Sequence, residues 1–346
     1  MPGSFGEFFQ ASRLDFRYLV GQPRSALAGG GWRVAPLALA SIQAARNLAR
    51  CGTIPGFVGL CMMSVEVATT ALSRFMEASR VRARLAIMPV LHAEMAVAES
   101  TFEPVLEALD GDKPLSDFIR HAACSTYFGG NNSRCTLSEA FARMGVTEFY
   151  RLVSTAVIHT RMANAAAPGF VAHADQVARL CELIASRAAK DLAVDAYFTG
   201  LCHDAAVPTM SESLADFQYF ADQATSNDPG VLPLEIECNE FTHCDAGAEI
   251  VKAMGFAPAV ATAVKYHHEP QRLLDLSGDA ARLLAMVVVA ERVIAVSLEQ
   301  SASVFIATTE GEIQQSCGQA LDLSTNQLQT LSIEMLELCR VRRKLS

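Results

Sequence analysis

The stretch "LSEAFARMGVTEFYRLVSTAVIHTRM" (137–162) places apolar residues every third or fourth position for 26 residues. Only a helix turns such spacing into one continuous buried stripe. The same period recurs in "LALASIQAARNLARC" (37–51), "SVEVATTALSRFMEASRV" (64–81), "ADQVARLCELIASRAAK" (174–190), "DAGAEIVKAMG" (245–255) and "AARLLAMVVVAERVIAVSLEQ" (280–300). Alternating β-branched runs are nearly absent. "AMVVVAERVIAV" fits either a strand or a buried helix on period alone, and its length and flanks favour the helix. The expected fold class is all-α.

Turn residues place the joints. "AGGGW" (28–32) reads as a turn, and "FGGNNSRC" (128–135) as a loop with Thr136 or Ser138 capping the helix that follows. "AAAPGF" (165–170) breaks the chain at Pro168-Gly169. "TSNDPGVLPLEIE" (225–237) reads as a loop, and "FIATTEGE" (305–312) as a separator before a C-terminal segment of one or two short helices.

Composition removes several classes of function. Hydrophobic residues make up 51% of the 346 and charged residues 19%, which supports a packed core and argues against extended disorder. The net charge of −9 argues against nucleic-acid binding. The short basic runs, Arg80, Arg82 and Arg84, and then Arg340, Arg342, Arg343 and Lys344, lack interleaved aromatics and read as solvated surface. The N-terminus shows no secretory signal, and the most apolar early stretch carries Pro55 and Glu66, so no membrane span is expected. Ten cysteines occur without a C-x-x-C pair, which points to reduced, mostly buried thiols and a cytoplasmic location. Cys202 and Cys244 flank candidate ligands; the default reading of both is a buried thiol, with thiolate ligation as the alternative.

The histidines carry the chemical information. Of eight, five lie between positions 173 and 268: His173, His203, His243, His267 and His268. Each falls near the edge of an expected helix, from where side chains can converge on one centre. His203 is followed directly by Asp204. Imidazole and carboxylate together suit a borderline first-row metal such as Fe, Mn or Zn, against the plainer alternative of histidines satisfied inside a core. His92, His121 and His159 lie outside the cluster and read as structural or surface residues.

Several segments together resemble the HDOD domain, the HD-related output domain of bacterial signalling proteins, within the HD superfamily of metal-dependent phosphohydrolases. They are "DKPLSDFIRHAACSTYFGG" (112–130, with Cys124 where the family commonly has Asn), "TLSEAFARMGVTEFYRLV" (136–153), "HADQVARL", "LCHDAAVP", "THCDAGAEIVKAMG", "YHHEP" and "ALDLSTNQLQTL". The resemblance implies an HD-like helical bundle over residues 86–300, an additional N-terminal helical region over 1–85, and C-terminal helices over 301–346 packing on the core. It also implies a metal set of His173, His203, Asp204, His243, His267, His268 and Glu291, holding one or two divalent ions. Asp204 would bridge, and would be the residue at the catalytic centre if the protein is active. Glu291 stands where the family has Asp.

Two departures from the catalytic relatives, which include the HD-GYP phosphodiesterases of cyclic di-GMP, shape the functional expectation. The pattern His-Asp-x-x-Lys ends here in Val207, and the Gly-Tyr-Pro motif is replaced by "EPQRLLDLSGD". Lys265 and Arg272 are the nearby cations that could substitute. The resemblance therefore implies a regulatory protein working through a signalling protein partner, without nucleic acid or membrane. Residues 1–85 are candidates to pack on the core, form a homodimer or contact another protein. The alternatives are a metal-dependent phosphohydrolase acting on a nucleotide or cyclic dinucleotide, and redox chemistry at a di-iron site.

Overall fold

The computed structural model describes residues 71–97, 100–123, 135–162, 170–214, 217, 230–297 and 306–345. The helix expected over 37–51, the turn at 28–32, Cys124 and the Pro168-Gly169 break lie outside them. The described residues are helical throughout, with no strand among them. The chain is all-α.

The first half holds α1 (71–78), α2 (Val81–Arg84), α3 (Ile87–Met95), α4 (Glu103–Asp110), α5 (Lys113–Ala123) and α6 (Leu137–Val157), the last continued by a π-helical turn, Ile158–Met162. The uninterrupted helix expected over 64–81 is broken within its described part. Arg80 adopts a left-handed conformation, φ 52°, which ends α1. The expected cap of α6 is Thr136. Its side chain accepts from the Glu139 amide while the Glu139 carboxylate accepts from the Thr136 amide, a reciprocal capping box. Gly145, at φ 76°, kinks α6 where another residue would be strained.

The second half holds α7 (Phe170–Ala188), α8 (Ala193–Cys202), α9 (Ala206–Ser213), α10 (Val231–Asn239), α11 (His243–Met254), α12 (Pro258–Lys265), α13 (Gly278–Ser297), α14 (Ile306–Leu321) and α15 (Thr325–Leu345). Two expected breaks are helices. Residues 231–237, read as loop, belong to α10. Pro233 sits in its first turn, where a missing N–H costs no hydrogen bond. The separator at 305–312 lies mostly within α14, because Gly311 faces open space and weakens the helix without ending it. The C-terminal segment then forms one long helix, α15.

The core is continuous from Phe75 to Cys339. α13 is its axis. Leu283, Leu284, Met286, Val287, Ala290 and Ile294 are all buried, so the apolar run that fits two periods is a helix covered on nearly every face. Each Leu or Ile buried this way contributes roughly 1.5–3 kcal/mol. α7 and α8 pack against each other and against α13, while α11 and α12 form an adjoining pair. Gly200 allows the α7–α8 approach: a Cβ there would lie 2.7 Å from the Ala178 Cα. These four helices place their ends, and α13 its middle, around one buried point.

No helix among the described residues is long and apolar enough to cross a membrane.

Candidate metal centre

Each of these elements, or the turn that follows it, delivers one or two donor groups to that point. α7 carries His173 on its first turns. α8 ends at His203, its C-cap, and Asp204 follows in the turn to α9. α11 begins at His243, fixed there by a second capping box between Thr242 and Asp245. The turn after α12 carries His267 and His268, and α13 contributes Glu291 from its middle. The structure thus brings all seven expected residues together. All are buried except His173, which keeps 17% of its side chain exposed.

The donors divide into two half-sites around Asp204. On one side, His173 Nε2 lies 3.2 Å from His203 Nε2 and 3.1 Å from Glu291 Oε1. His203 Nε2 lies 3.2 Å from Asp204 Oδ2 and 3.3 Å from Glu291 Oε1. On the other side, His267 Nε2 lies 3.3 Å and His243 Nε2 3.6 Å from Asp204 Oδ1. The two ring nitrogens are 3.4 Å apart. A tetrahedral ion with bonds of about 2.0–2.1 Å sets its ligands about 3.3 Å from one another.

Hydrogen bonds behind the rings fix which nitrogen faces inward. Nδ1 of His203 donates to the Gly200 carbonyl at 2.8 Å, and Nδ1 of His267 donates to the Val264 carbonyl at 2.7 Å. Nδ1 of His243 donates to the Glu235 carboxylate at 2.7 Å, and the His243 amide donates to the same carboxylate at 2.8 Å. In these three rings, when neutral, the inward Nε2 is then a lone pair. Asp204 Oδ1 and Glu291 Oε1 are buried with no hydrogen bond of sound geometry. Lone pairs and carboxylate oxygens facing one another in a buried space require positive charge between them, either protons or a metal ion.

The electrostatics agree. Burial pulls His173 down, but the Glu291 carboxylate more than offsets it and leaves the ring raised to about 9. Burial likewise opposes His267, which Cys244 and Asp204 raise to about 10. Against burial, His203 and His267 hold Asp204 well below the usual carboxylate range, and His173 lowers Glu291. Raised in this way, His173 and His267 can carry protons that balance the Asp204 and Glu291 carboxylates. Both groups, His173 with His203 and Asp204, and His243 with Cys244, His267 and His268, have the donors and the closeness to hold a metal.

Sequence reasoning missed Glu235. It is fully buried and holds His243 in place, yet it sits in a stretch read as loop, where a charged residue gives no signal. Cys244, read by default as a buried thiol, lies with Sγ 3.5 Å from His243 Nε2. Burial raises this thiol, but His243 and His267 reverse the effect and lower it to about 7. Cys202 is different: burial pushes it up to about 12. The remaining histidines serve elsewhere. His92 packs edge-on against Tyr150 and Phe256, His159 pairs with Asp175 at 3.2 Å, and His121 is exposed.

The positions that would grip a phosphate are occupied otherwise. Val207 is fully buried in the core. Lys265 Nζ lies 3.3 Å from Asp245 at the surface. Arg272 pairs with Glu269 at 3.1 Å and lies over the Tyr266 ring.

Comparison with known proteins follows the same lines. The family model of the HDOD domain matches residues 86–270. A crystal structure of an HDOD domain protein with unknown function from Geobacter sulfurreducens superposes with a TM-score of 0.52 at 19% identity, covering 80% of this chain and 97% of that one. A candidate phosphohydrolase from Shewanella amazonensis SB2B gives 0.53 at 17% identity, covering 80% and 98%. A candidate signal transduction protein from Marinobacter aquaeolei VT8 gives 0.55 at 15% identity, covering 80% of this chain and 63% of that one. At these identities the likeness is one of fold. No curated protein matches the chain.

Proposed function

The chain belongs to the HDOD domain family, and from that premise we propose that it is a regulatory module that holds divalent metal and acts on a signalling protein partner without hydrolysing a phosphoester. The observation that carries this reading is the mismatch between the two parts of the site. The ion-binding donors are complete and converge on buried, unpartnered carboxylate oxygens, whereas the position of the phosphate-holding lysine is Val207, sealed in the core. Lys265 and Arg272 are engaged by Asp245 and Glu269.

The ions would be Fe, Mn or Zn, as mixed imidazole and carboxylate donors favour. His173, His203, Asp204 and Glu291 would hold one, and His243, His267 and the other oxygen of Asp204 the second, with His268 beside them. A metal bound there supplies Lewis acidity. The helices that meet at the cluster would transmit its occupancy to the surface, since a ligand shifts a protein toward the state it binds better. The fold neighbour described as a candidate signal transduction protein supports the regulatory side of the reading. Cys181, Cys202, Cys244 and Cys317 are buried free thiols, in keeping with a reducing cytoplasm.

A second reading, a metal-dependent phosphohydrolase acting on a nucleotide or cyclic dinucleotide, rests on one observation. Asp204 offers one oxygen to each half-site, the arrangement a two-metal hydrolase needs. Elemental mass spectrometry on untagged protein, beside a His203→Ala/Asp204→Ala variant, tests both readings when paired with phosphodiester turnover assays on the same samples. Metal in the wild type, lost in the variant, with no turnover, is the expected result. Turnover that follows metal content would replace the regulatory reading with the hydrolase. A wild type without metal after loading with Fe, Mn or Zn would remove the metal from the proposal.

A further inference from the structure

We propose that Cys244 is a metal ligand, which makes the two half-sites chemically unequal. Its thiolate joins His243 Nε2, His267 Nε2 and Asp204 Oδ1 in a set of two nitrogens, one sulfur and one oxygen that selects zinc. The half-site of His173, His203, Asp204 Oδ2 and Glu291 keeps a harder set of two nitrogens and two oxygens, suited to Fe or Mn. This inference rests on the metal-binding reading above and adds to it the identity of one ligand and the preference of each position.

Three independent observations carry it. The first is distance. Cys244 Sγ lies 3.5 Å from His243 Nε2, and the ligand atoms of His243, Cys244, His267 and His268 all lie within 4.8 Å of one another. Tetrahedral zinc with Zn–N of about 2.05 Å and Zn–S of about 2.3 Å separates nitrogen from sulfur by about 3.6 Å and nitrogen from nitrogen by about 3.3 Å. The second is the Asp204 oxygen. Oδ1 is buried, has no hydrogen-bond partner, and lies 3.3 Å from His267 Nε2 and 3.6 Å from His243 Nε2. A buried carboxylate oxygen in that condition, facing two imidazole nitrogens, is open to a cation. The third is the backbone. Cys244 is the second residue of the twelve-residue helix α11, whose N-terminal amides favour an anionic sulfur. On coordination the thiol proton leaves to solvent and the sulfur lone pair forms the bond to the ion.

The test uses the full-length protein without an affinity tag, depleted of metal and reloaded with zinc alone. Zinc-edge X-ray absorption of the wild type is expected to show one sulfur neighbour at about 2.3 Å beside nitrogen and oxygen neighbours at about 2.0–2.1 Å. The sulfur shell is expected to persist in Cys202→Ser and to vanish in Cys244→Ser. Zinc affinity of that variant should fall at least tenfold, while parallel samples reloaded with Fe or Mn retain uptake by the His173 half-site. Should Cys244→Ser fail to fold, the wild type and Cys202→Ser spectra decide the matter. Bound zinc without a sulfur neighbour, or a sulfur shell lost in Cys202→Ser, would overturn the assignment of Cys244 and leave the metal reading standing. Failure to take up any zinc, iron or manganese would overturn both.

Discussion

Gly200 and Ala178 are in such close contact that a Cβ on the glycine would lie 2.7 Å from the Ala178 Cα and 2.8 Å from its amide nitrogen. The obstacle is backbone, which cannot step aside as a flexible side chain would. Gly200 also supplies the carbonyl that orients His203. Gly200→Ala should therefore separate α8 from α7, destabilise the fold by about 1–3 kcal/mol, and move His203 away from His173. Thermal unfolding and the metal content of the variant measure the two effects together.

Glu235 accepts from both the Nδ1–H and the amide of His243 with no solvent exposure. Glu235→Gln keeps the volume and removes the charge. Affinity at the His243 half-site should fall about 10- to 100-fold, as is usual when the carboxylate behind a metal-binding histidine is lost. Glu235→Ala leaves two buried donors without an acceptor, at about 1–3 kcal/mol each. Calorimetric titration with zinc, beside urea unfolding, distinguishes the two outcomes.

His173 gives the pH dependence its sign. Its folded value is raised to about 9 from 6.5, so its contribution to stability is complete below pH 6.5 and is lost as pH climbs through 9. In metal-free protein the stability difference between the wild type and His173→Gln should be largest near pH 6 and should shrink above pH 9. Cys244 works in the opposite direction but is common to both proteins and cancels. Metal must displace these protons, so its binding should tighten as pH rises over the same window. Titrations in buffers of different ionisation heat count the protons released.

Glu291 occupies a position where the resemblance implies Asp. Its longer arm brings Oε1 to 3.1 Å from His173 and 3.3 Å from His203. Glu291→Asp withdraws that oxygen by about one bond length, roughly 1.5 Å. Metal content at the His173 half-site should drop well below that at the His243 half-site. Element-resolved mass spectrometry after loading with Fe and then Zn reads the difference.

The all-α class was legible because apolar spacing reports directly on the face a helix buries, and the histidine cluster was legible because five of the eight fall between positions 173 and 268, one of them joined to Asp204. Glu235 was not. Nothing local distinguishes "LEIE" in a buried helix from the same residues in a loop. Its role exists only because α10 lies beside the first turn of α11. Pro233 misled for a related reason: its effect depends on its position within the helix, which the sequence does not print. Cys244 was seen, but a cysteine beside a ligand carries no mark of which way its sulfur points.

Asp204 is shared. Its Oδ2 faces His203 and its Oδ1 faces His267 and His243. Were both half-sites to hold an ion, one carboxylate would not serve them independently, because its charge and its orientation are shared between its two oxygens. Occupancy of the two positions would therefore be cooperative in the thermodynamic sense, with each ion altering the affinity of the other by the same factor. With Cys244 on one side and Glu291 on the other, the centre would compare two different metals rather than count one, and a single carboxylate would be the balance on which they are weighed.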